Sequence, residues 1–239
     1  MIKSILKSTL QSMGLTVYKT RSISVGNDPF IDIKNHFGNI ELSTFFDVGA
    51  NTGQTVSRIK AEKPTSTIYA FEPIKDTFDK LYAATKHFAK VHLENIGFGA
   101  EVGTLTIGIA KNSLWNSFKN LPNVENTISN ETVTVETIDN YLSKNDVKRI
   151  NFLKIDVEGF EIPVLIGAKN TLSSDKIDFI YCEVGINKND KHHTPFIEVI
   201  HLLTEYNFKF VAFYDHSLIN TDAHYANALF FNANILTYQ

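Results

Sequence analysis

The stretch from Thr44 to Gln54, T-F-F-D-V-G-A-N-T-G-Q, constrains this chain more than any other. Thr44, Phe45, Phe46 and Val48 form a short, apolar, β-prone run, the pattern of a strand buried on both faces of a parallel sheet. Asp47 stands near its C-terminal end, Gly49 to Gly53 make a small polar turn, and Gln54 to Lys60 reads as a helix. Strand, glycine turn and helix in that order is how an open α/β sheet holds a nucleotide-like ligand at the carboxyl ends of its strands. This turn is the expected ligand site.

The flanking sequence repeats the alternation. Thr67 to Phe71 reads as a second buried strand ending in Glu72-Pro73, and Ile74 to His87 as a helix with Phe78, Leu81 and Tyr82 facing the core. Val91 to Leu93 begins a third strand that stops near Asn95. Gly103 to Ile109 and Glu131 to Glu136 resemble an antiparallel pair, joined by the polar, asparagine-rich connection Lys111 to Asn130. Thr137 to Leu142 is a short helix, and Ile150 to Val157 the clearest later strand, followed by Glu158-Gly159-Phe160-Glu161 and a helix to Ala168. Ile177 to Val184 is a strand, Pro195 to Tyr206 a helix with Phe196, Val199, Ile200 and Leu203 inward, and Phe208 to Tyr214 with Ala228 to Phe231 a terminal antiparallel pair. Such βαβ spacing implies a mostly parallel sheet with helices on both faces.

Ahead of the glycine turn, Leu15 to Val17 and Phe30 to Ile33 look like short strands separated by a turn at Gly26 to Pro29. Ile2, Ile5, Leu6, Leu10 and Met13 lie at near-helical spacing, an amphipathic helix expected to pack on the domain or on a partner rather than on a membrane surface. No segment has the run of about 20 apolar residues of a membrane span, and the N-terminus lacks a secretory apolar core, so the expectation is a cytoplasmic protein. A net charge of −3 over 239 residues gives no electrostatic reason to expect nucleic acid. The one cysteine, Cys182, excludes an intrachain disulfide and a cysteine-based zinc cluster.

The ligand is narrowed by Glu72, which ends the second strand nineteen positions after Gly53. An acid there accepts hydrogen bonds from ribose hydroxyls, pointing to a nucleoside derivative. The turn G-A-N-T-G lacks the G-x-G-x-x-G spacing that seats a pyrophosphate on a helix N-terminus, and it lacks the Lys-Ser/Thr pair of a triphosphate site. Asp47 repels phosphate and suits a cationic amino group. Together these fit S-adenosylmethionine better than NAD or ATP; the plain alternative is a tight strand-to-helix turn beside a solvated glutamate.

F-D-V-G-A-N-T-G-Q followed by A-F-E-P resembles the cofactor motifs of class I S-adenosylmethionine-dependent methyltransferases. K-I-D-V-E-G-F-E-I-P-V-L-I-G-A, from Lys154 to Ala168, is similar to the most characteristic motif of the FkbM family within that superfamily, and T-I-D-N-Y-L fits its order. The resemblance covers roughly Thr44 to Glu183. It implies a Rossmann-like class I sheet over residues 44–239, with 1–43 an extension. By the same resemblance Asp47, Gly49, Asn51 and Gly53 line the methionine and ribose end of the cofactor. Glu72 holds the ribose hydroxyls, Pro73 shapes the adenine edge, Asn95, Ile96 and Gly97 contact the adenine, and Asp156 projects over the cleft beside the methyl group.

Family members of assigned activity are mostly O-methyltransferases of sugar or polyketide hydroxyls. The expected function is therefore methyl transfer to a hydroxyl, of a sugar in a glycan or glycoconjugate. The alternatives are a small non-sugar metabolite or a nitrogen as acceptor, or a non-catalytic nucleotide-binding or scaffold protein. Asp156 and Glu158 are the candidates to orient the acceptor hydroxyl or take its proton, with a divalent cation as an unproven helper, and Glu183 is the second carboxylate at the cleft. Glu158 and Glu161 also suit the start of a helix, and Glu161 is read as structural. His192 and His193, in a polar loop after the fifth strand, could reach the cleft as a base or metal ligand, but the plainer reading of an exposed loop histidine is preferred for each, and His216 and His224 are read alike. Trp115 and Tyr214 are aromatics able to stack on a sugar, though such side chains more often fill cores.

Overall fold

The computed structural model describes residues 24–38, 40–110, 127–219 and 222–238. The chain divides into two compact units, Met1–Ile40 and Glu41–Gln239. In the first, α1 spans Pro29–His36. Phe30 to Ile33, expected as a strand, is therefore helical. Asp28 explains it: its side chain accepts from the backbone N–H of Phe30 (2.9 Å) and Ile31 (3.0 Å), and Pro29 occupies the first turn. An N-cap aspartate with proline just after it supplies an acceptor for orphan N–H groups and a preset φ, which outweighs the β propensity of Phe and Ile. The expected N-terminal helix and the strand Leu15 to Val17 fall outside the described residues.

The second unit opens with β1 (Thr44–Val48), α2 (Gln54–Glu62), β2 (Thr67–Phe71), α3 (Lys75–Thr85) and β3 (Val91–Glu94). β4 (Gly97–Phe98), β5 (Gly103–Ala110), β6 (Thr127–Glu136) and α4 (Ile138–Lys144) follow. Then come β7 (Ile150–Ile155), α5 (Glu161–Ile166), α6 (Lys169–Ser173), β8 (Ile177–Gly185), α7 (Phe196–Glu205), β9 (Phe208–Ile219) and β10 (Asp222–Asn232). A 3-10 helix, Ala233–Tyr238, ends the described chain. Most of the expected connection from Lys111 onward lies outside the described residues. On α3 the inward stripe is Thr77, Leu81 and Thr85, following the buried Ile74, whereas Tyr82 is half exposed. Among the described residues no helix is long and apolar enough to cross a membrane.

The seven-stranded sheet has the order β3-β2-β1-β7-β8-β10-β9. All its pairs are parallel except those of β10, which runs against both β8 and β9. The expected mostly parallel sheet with a C-terminal antiparallel pair is thus present. Because strand order grows to one side from β1 to β3 and restarts on the other side at β7, right-handed crossovers put the earlier and later helices on opposite faces. One face buries Phe46, Val48, Leu153, Ile155, Ile180 and Cys182 against Val164, Leu165, Leu172, Val199 and Leu203. β5 and β6 pair antiparallel as expected, and β4 joins β6 to make a three-stranded second sheet that the sequence reading lacked.

At the amino edge, Asn151 Oδ1 accepts from the backbone N–H of Thr44 (2.9 Å), and its Nδ2 donates to Asp178 Oδ2 (2.7 Å), tying β1, β7 and β8 in register. At the carboxyl edge, the N–H groups of Gly49 and Ala50 both donate to Phe71 O, at 3.0 and 2.9 Å. Gly49 has φ +79°, and a Cβ there would stand 1.9 Å from the carbonyl oxygen of Asp156. Left-handed backbone costs an L-residue roughly 1–2 kcal/mol and overpacking about 1–3 more. Gly49→Ala is therefore expected to lower unfolding stability by about 2–5 kcal/mol in urea denaturation, the sum of those two terms.

Candidate active site

The break in strand order between β1 and β7 opens a crevice at the carboxyl ends of these strands, the place where open α/β sheets bind ligands. Its first wall is the turn after β1. Glu72, just past β2, is nearly buried and accepts from the N–H of Asn51 at Oε2 and of Ile74 at Oε1, both 3.1 Å. Burial pushes its carboxyl up to about 7 against the lowering effect of those N–H donors. Each oxygen keeps a lone pair for a further donor. Asn95 Nδ2 donates to the carbonyls of Glu72 and Pro73, both at 2.9 Å, so its amide fixes the edge of this wall. Ile96 packs against the core and Gly97 begins β4.

Beneath the turn lies buried charge. Asp47 is 0% exposed, and neither of its carboxylate oxygens accepts a well-formed hydrogen bond. Lys154, its register partner on β7, brings Nζ to 3.3 Å of Oδ1 and donates to Asp156 Oδ2 at 3.0 Å. Burial raises the Asp47 pKa while Lys154 opposes the rise. For Lys154 burial favours the neutral amine, yet Asp156 and Asp47 together hold the ammonium charged, above its ordinary range.

The second wall is the turn after β7. Glu158 has φ +52° and Gly159 φ +92°. This left-handed pair is held by Glu161, fully buried, whose Oε1 accepts from Val157 N (3.2 Å) and Gly159 N (3.1 Å) while Thr194 Oγ1 donates to Oε2. Glu161 thus shapes the turn. Burial, with Asp156 and Glu161 adding to it, pushes the Glu158 carboxyl up to about 8. Glu183, near the end of β8, is 8% exposed, and its Oε2 receives no hydrogen bond. Burial, then the charges of Asp156, Glu158 and Glu161, drive its carboxyl far above the usual range.

His193 belongs to this wall too. It is buried, its Nδ1 lies 2.6 Å from Asp190 Oδ2, and its ring stacks on Tyr225 at 4.2 Å between centroids. Its Nε2 stands 3.5 Å from Glu183 Oε2 and 3.9 Å from Glu158 Oε2. Burial lowers its pKa, with Asp190 opposing. His192 is exposed as expected, but the expectation of an exposed His193 is overturned. Its burial depends on Asp190, on Tyr225 from β10 and on Gly185, where a Cβ would press on Asp190 Oδ2 at 3.0 Å. Only Asp190 is a near neighbour in sequence. His224 is half buried, with Nε2 3.6 Å from Asp190 Oδ2, and His216 is exposed. Tyr214 is fully buried beside Tyr181 and cannot stack on a sugar. Trp115 lies outside the described residues. Lys154 is a site residue absent from the sequence expectation, although a lysine inside the otherwise apolar run F-L-K-I signals a buried pair.

Residues 47–210 match the Methyltransferase FkbM domain. The chain belongs to the FkbM methyltransferase family. The FkbM match starts at the β1 carboxylate and ends in β9, so it takes in Glu72, Lys154, Asp156, Glu183 and His193 and leaves out Tyr225 and His224. Over 171 residues this FkbM chain is 32% identical to "Hexuronic acid methyltransferase AglP" of Haloferax volcanii, covering 69% of the chain and 65% of that protein, just under two thirds of its length. It is 29% identical over 167 residues to "Methyltransferase 1" of Beauveria bassiana, covering 62% of the chain and 67% of that protein. Among solved structures, Aeropyrum pernix fibrillarin with bound S-adenosyl-L-methionine matches with a TM-score of 0.47 and 12% identity, over 80% of this chain and 66% of that one.

Removing one partner of a buried ion pair strands the other and costs about 3–5 kcal/mol. Lys154→Met is expected to destabilise the protein by that amount, and by clearly less in an Asp47→Asn background, as a double-mutant cycle in urea will measure.

Proposed function

We propose that the protein is an S-adenosylmethionine-dependent O-methyltransferase acting on a hydroxyl of a sugar in a glycan or glycoconjugate. The observation that carries the cofactor half is Glu72, a nearly buried carboxylate anchored by two backbone N–H groups with lone pairs to spare at the carboxyl edge of β2. In this reading Glu72 accepts the ribose hydroxyls, and Asp47, Gly49, Asn51 and Gly53 line the methionine and ribose end. Pro73, Asn95, Ile96 and Gly97 border the adenine, and Asp156 closes the cleft near the reacting group. Gly49 keeps the turn tight against the end of β7, since any side chain there would collide with Asp156 O.

When bound, S-adenosylmethionine supplies a methyl group on a good leaving group, so the protein's task is chiefly in-line positioning. Asp156, 33% exposed at its side chain and held on one oxygen by Lys154, keeps a face open to an acceptor and is the group we assign to take the hydroxyl proton. Glu158 and Glu183 hold the acceptor beside it. The sugar class is supported by the identity to AglP, whose name specifies a hexuronic acid, so a hexuronic acid is the first acceptor to try. A cytoplasmic setting goes with this reading.

The decisive assay is transfer of labelled methyl from S-adenosylmethionine to hexuronic-acid oligosaccharides, with a methyl-sized mass increase as the readout. Asp156→Asn is expected to lower turnover by about 100-fold or more while cofactor affinity changes far less. Equal turnover in the variant would remove Asp156 from the chemistry.

Glu72 also sets a pH dependence. Its folded pKa of about 7 lies above the ordinary 4.5, so rising pH between those values ionises the unfolded chain first, and this group's contribution lowers stability across that window. Ribose donors favour the carboxylate, so cofactor affinity is expected to be level above pH 7 and to fall by up to about tenfold per unit below it. In calorimetry, Glu72→Gln should bind weakly and lose that slope; a slope that survives the substitution would assign it to another group.

A further inference from the structure

Glu158, Glu183 and His193 come from three segments: the turn after β7, the end of β8 and the loop leading to α7. They nevertheless point one donor atom each at a common space, with His193 Nε2 3.5 Å from Glu183 Oε2 and 3.9 Å from Glu158 Oε2. Ligands bonded to one first-row ion at about 2.0–2.2 Å stand roughly 3–4 Å apart, so these separations need little adjustment.

Clustered acids alone would say little, but two further observations point to an occupant. Glu183 Oε2 is buried, faces this space and receives no hydrogen bond, a state that costs free energy unless a positive group comes to it. His193 is also mounted as metal-bound histidines are. Its Nδ1 lies 2.6 Å from a carboxylate, which can only accept, so the ring proton is on Nδ1 and Nε2 turns its lone pair toward the two glutamates. The orienting carboxylate is itself fixed, since Asp190 Oδ1 accepts from the N–H of His192 (2.9 Å) and His193 (3.2 Å). Tyr225 clamps the ring, and the loop is pinned to β8 by Gly185 N–H donating to Thr194 O at 2.8 Å.

We infer that Glu158, Glu183 and His193 bind one divalent first-row cation, with Asp190 orienting the histidine. Two carboxylate oxygens and one imidazole nitrogen suit Mn2+, Co2+ or Zn2+ better than Ca2+, which takes oxygen ligands. Three protein ligands leave coordination positions open to water or substrate. The ion site stands on its own geometry; its use rests on the methyl-transfer reading, in which an open position takes the acceptor hydroxyl, lowers its pKa and eases loss of its proton to Asp156.

Chelator-stripped protein titrated with Mn2+, followed by electron paramagnetic resonance, and with Zn2+, followed by calorimetry, tests this directly. The expected result is one ion per chain, at least tenfold weaker binding in Glu183→Gln and His193→Gln, and about 10- to 100-fold weaker binding in Asp190→Asn. Circular dichroism must show the variants folded. Glu158→Gln, on a partly exposed turn, serves as a further variant should one of the buried substitutions fail to fold. No stoichiometric ion in the wild type, or unchanged affinity in folded Glu183→Gln or Glu158→Gln, would overturn the site. So would loss of binding in His224→Gln with Glu183→Gln unaffected, because the ion would then sit among Asp190, His193 and His224. An ion bound as described, with no methyl transfer to any sugar, would uphold the site and sink the proposed reaction. Full-rate transfer by stripped protein that binds no ion would do the reverse.

Discussion

Lys154 Nζ sits between Asp47 and Asp156, at 3.3 and 3.0 Å, on the two strands where the order of the sheet reverses. Such a reversal necessarily leaves a crevice, because the connections on its two sides depart to opposite faces. The crevice is useful only if its walls keep their spacing. One buried ammonium shared by two carboxylates does this electrostatically, while the contact of Gly49 with the Asp156 carbonyl does it sterically. The arrangement has a cost, since Asp47 is wholly desolvated without a well-formed hydrogen bond. That cost is borne at the point from which the cleft is built.

The two walls are made in different ways. The turn after β1 is local: its glycines, Asn51 and Glu72 lie within one βαβ unit, and backbone N–H groups do most of the bonding. The other wall gathers Glu158, Glu183, Asp190, His193 and Tyr225 from separate segments and relies on side chains. Glu161 links its parts, bonding the turn on one oxygen and Thr194 on the other, so that the loop carrying His193 and the turn carrying Glu158 are set against each other. A wall of this kind can change its chemistry by substitution in any contributing segment without disturbing the nucleotide-like turn opposite.

The same division decides what could be read from the sequence. β1, its glycine turn, β2, β7 and β8 are legible because burial on both faces and turn glycines leave short-range patterns. Phe30 to Ile33 is β-prone in composition, but the Asp28-Pro29 cap beside it decides for a helix. β4 is two residues long and pairs with a strand more than thirty positions later, so no local pattern announces it. His193 looked like a loop residue because what buries it comes mostly from β8 and β10. Tyr214 could be read either as a sugar-stacking aromatic or as core, because the strand pairing that covers it depends on β10.

β10 runs against its neighbours, so it begins where the other strands end. Its pairing with β8 starts at Tyr225 opposite Gly185, while its pairing with β9 starts earlier, at Asp222 opposite Ile219. The hairpin therefore reaches past the end of β8 beside Glu183 and His193 like a parapet, its footing in continuous register with β8 but interrupted by three irregularities against β9. Its height is a quantity evolution can adjust almost alone: residues added in pairs at the tip raise it by about 3.4 Å per strand position without disturbing the pairing with β8. Among relatives with the same footing, the length of this hairpin should vary with the bulk of the molecule admitted, while the strands beneath it stay the same.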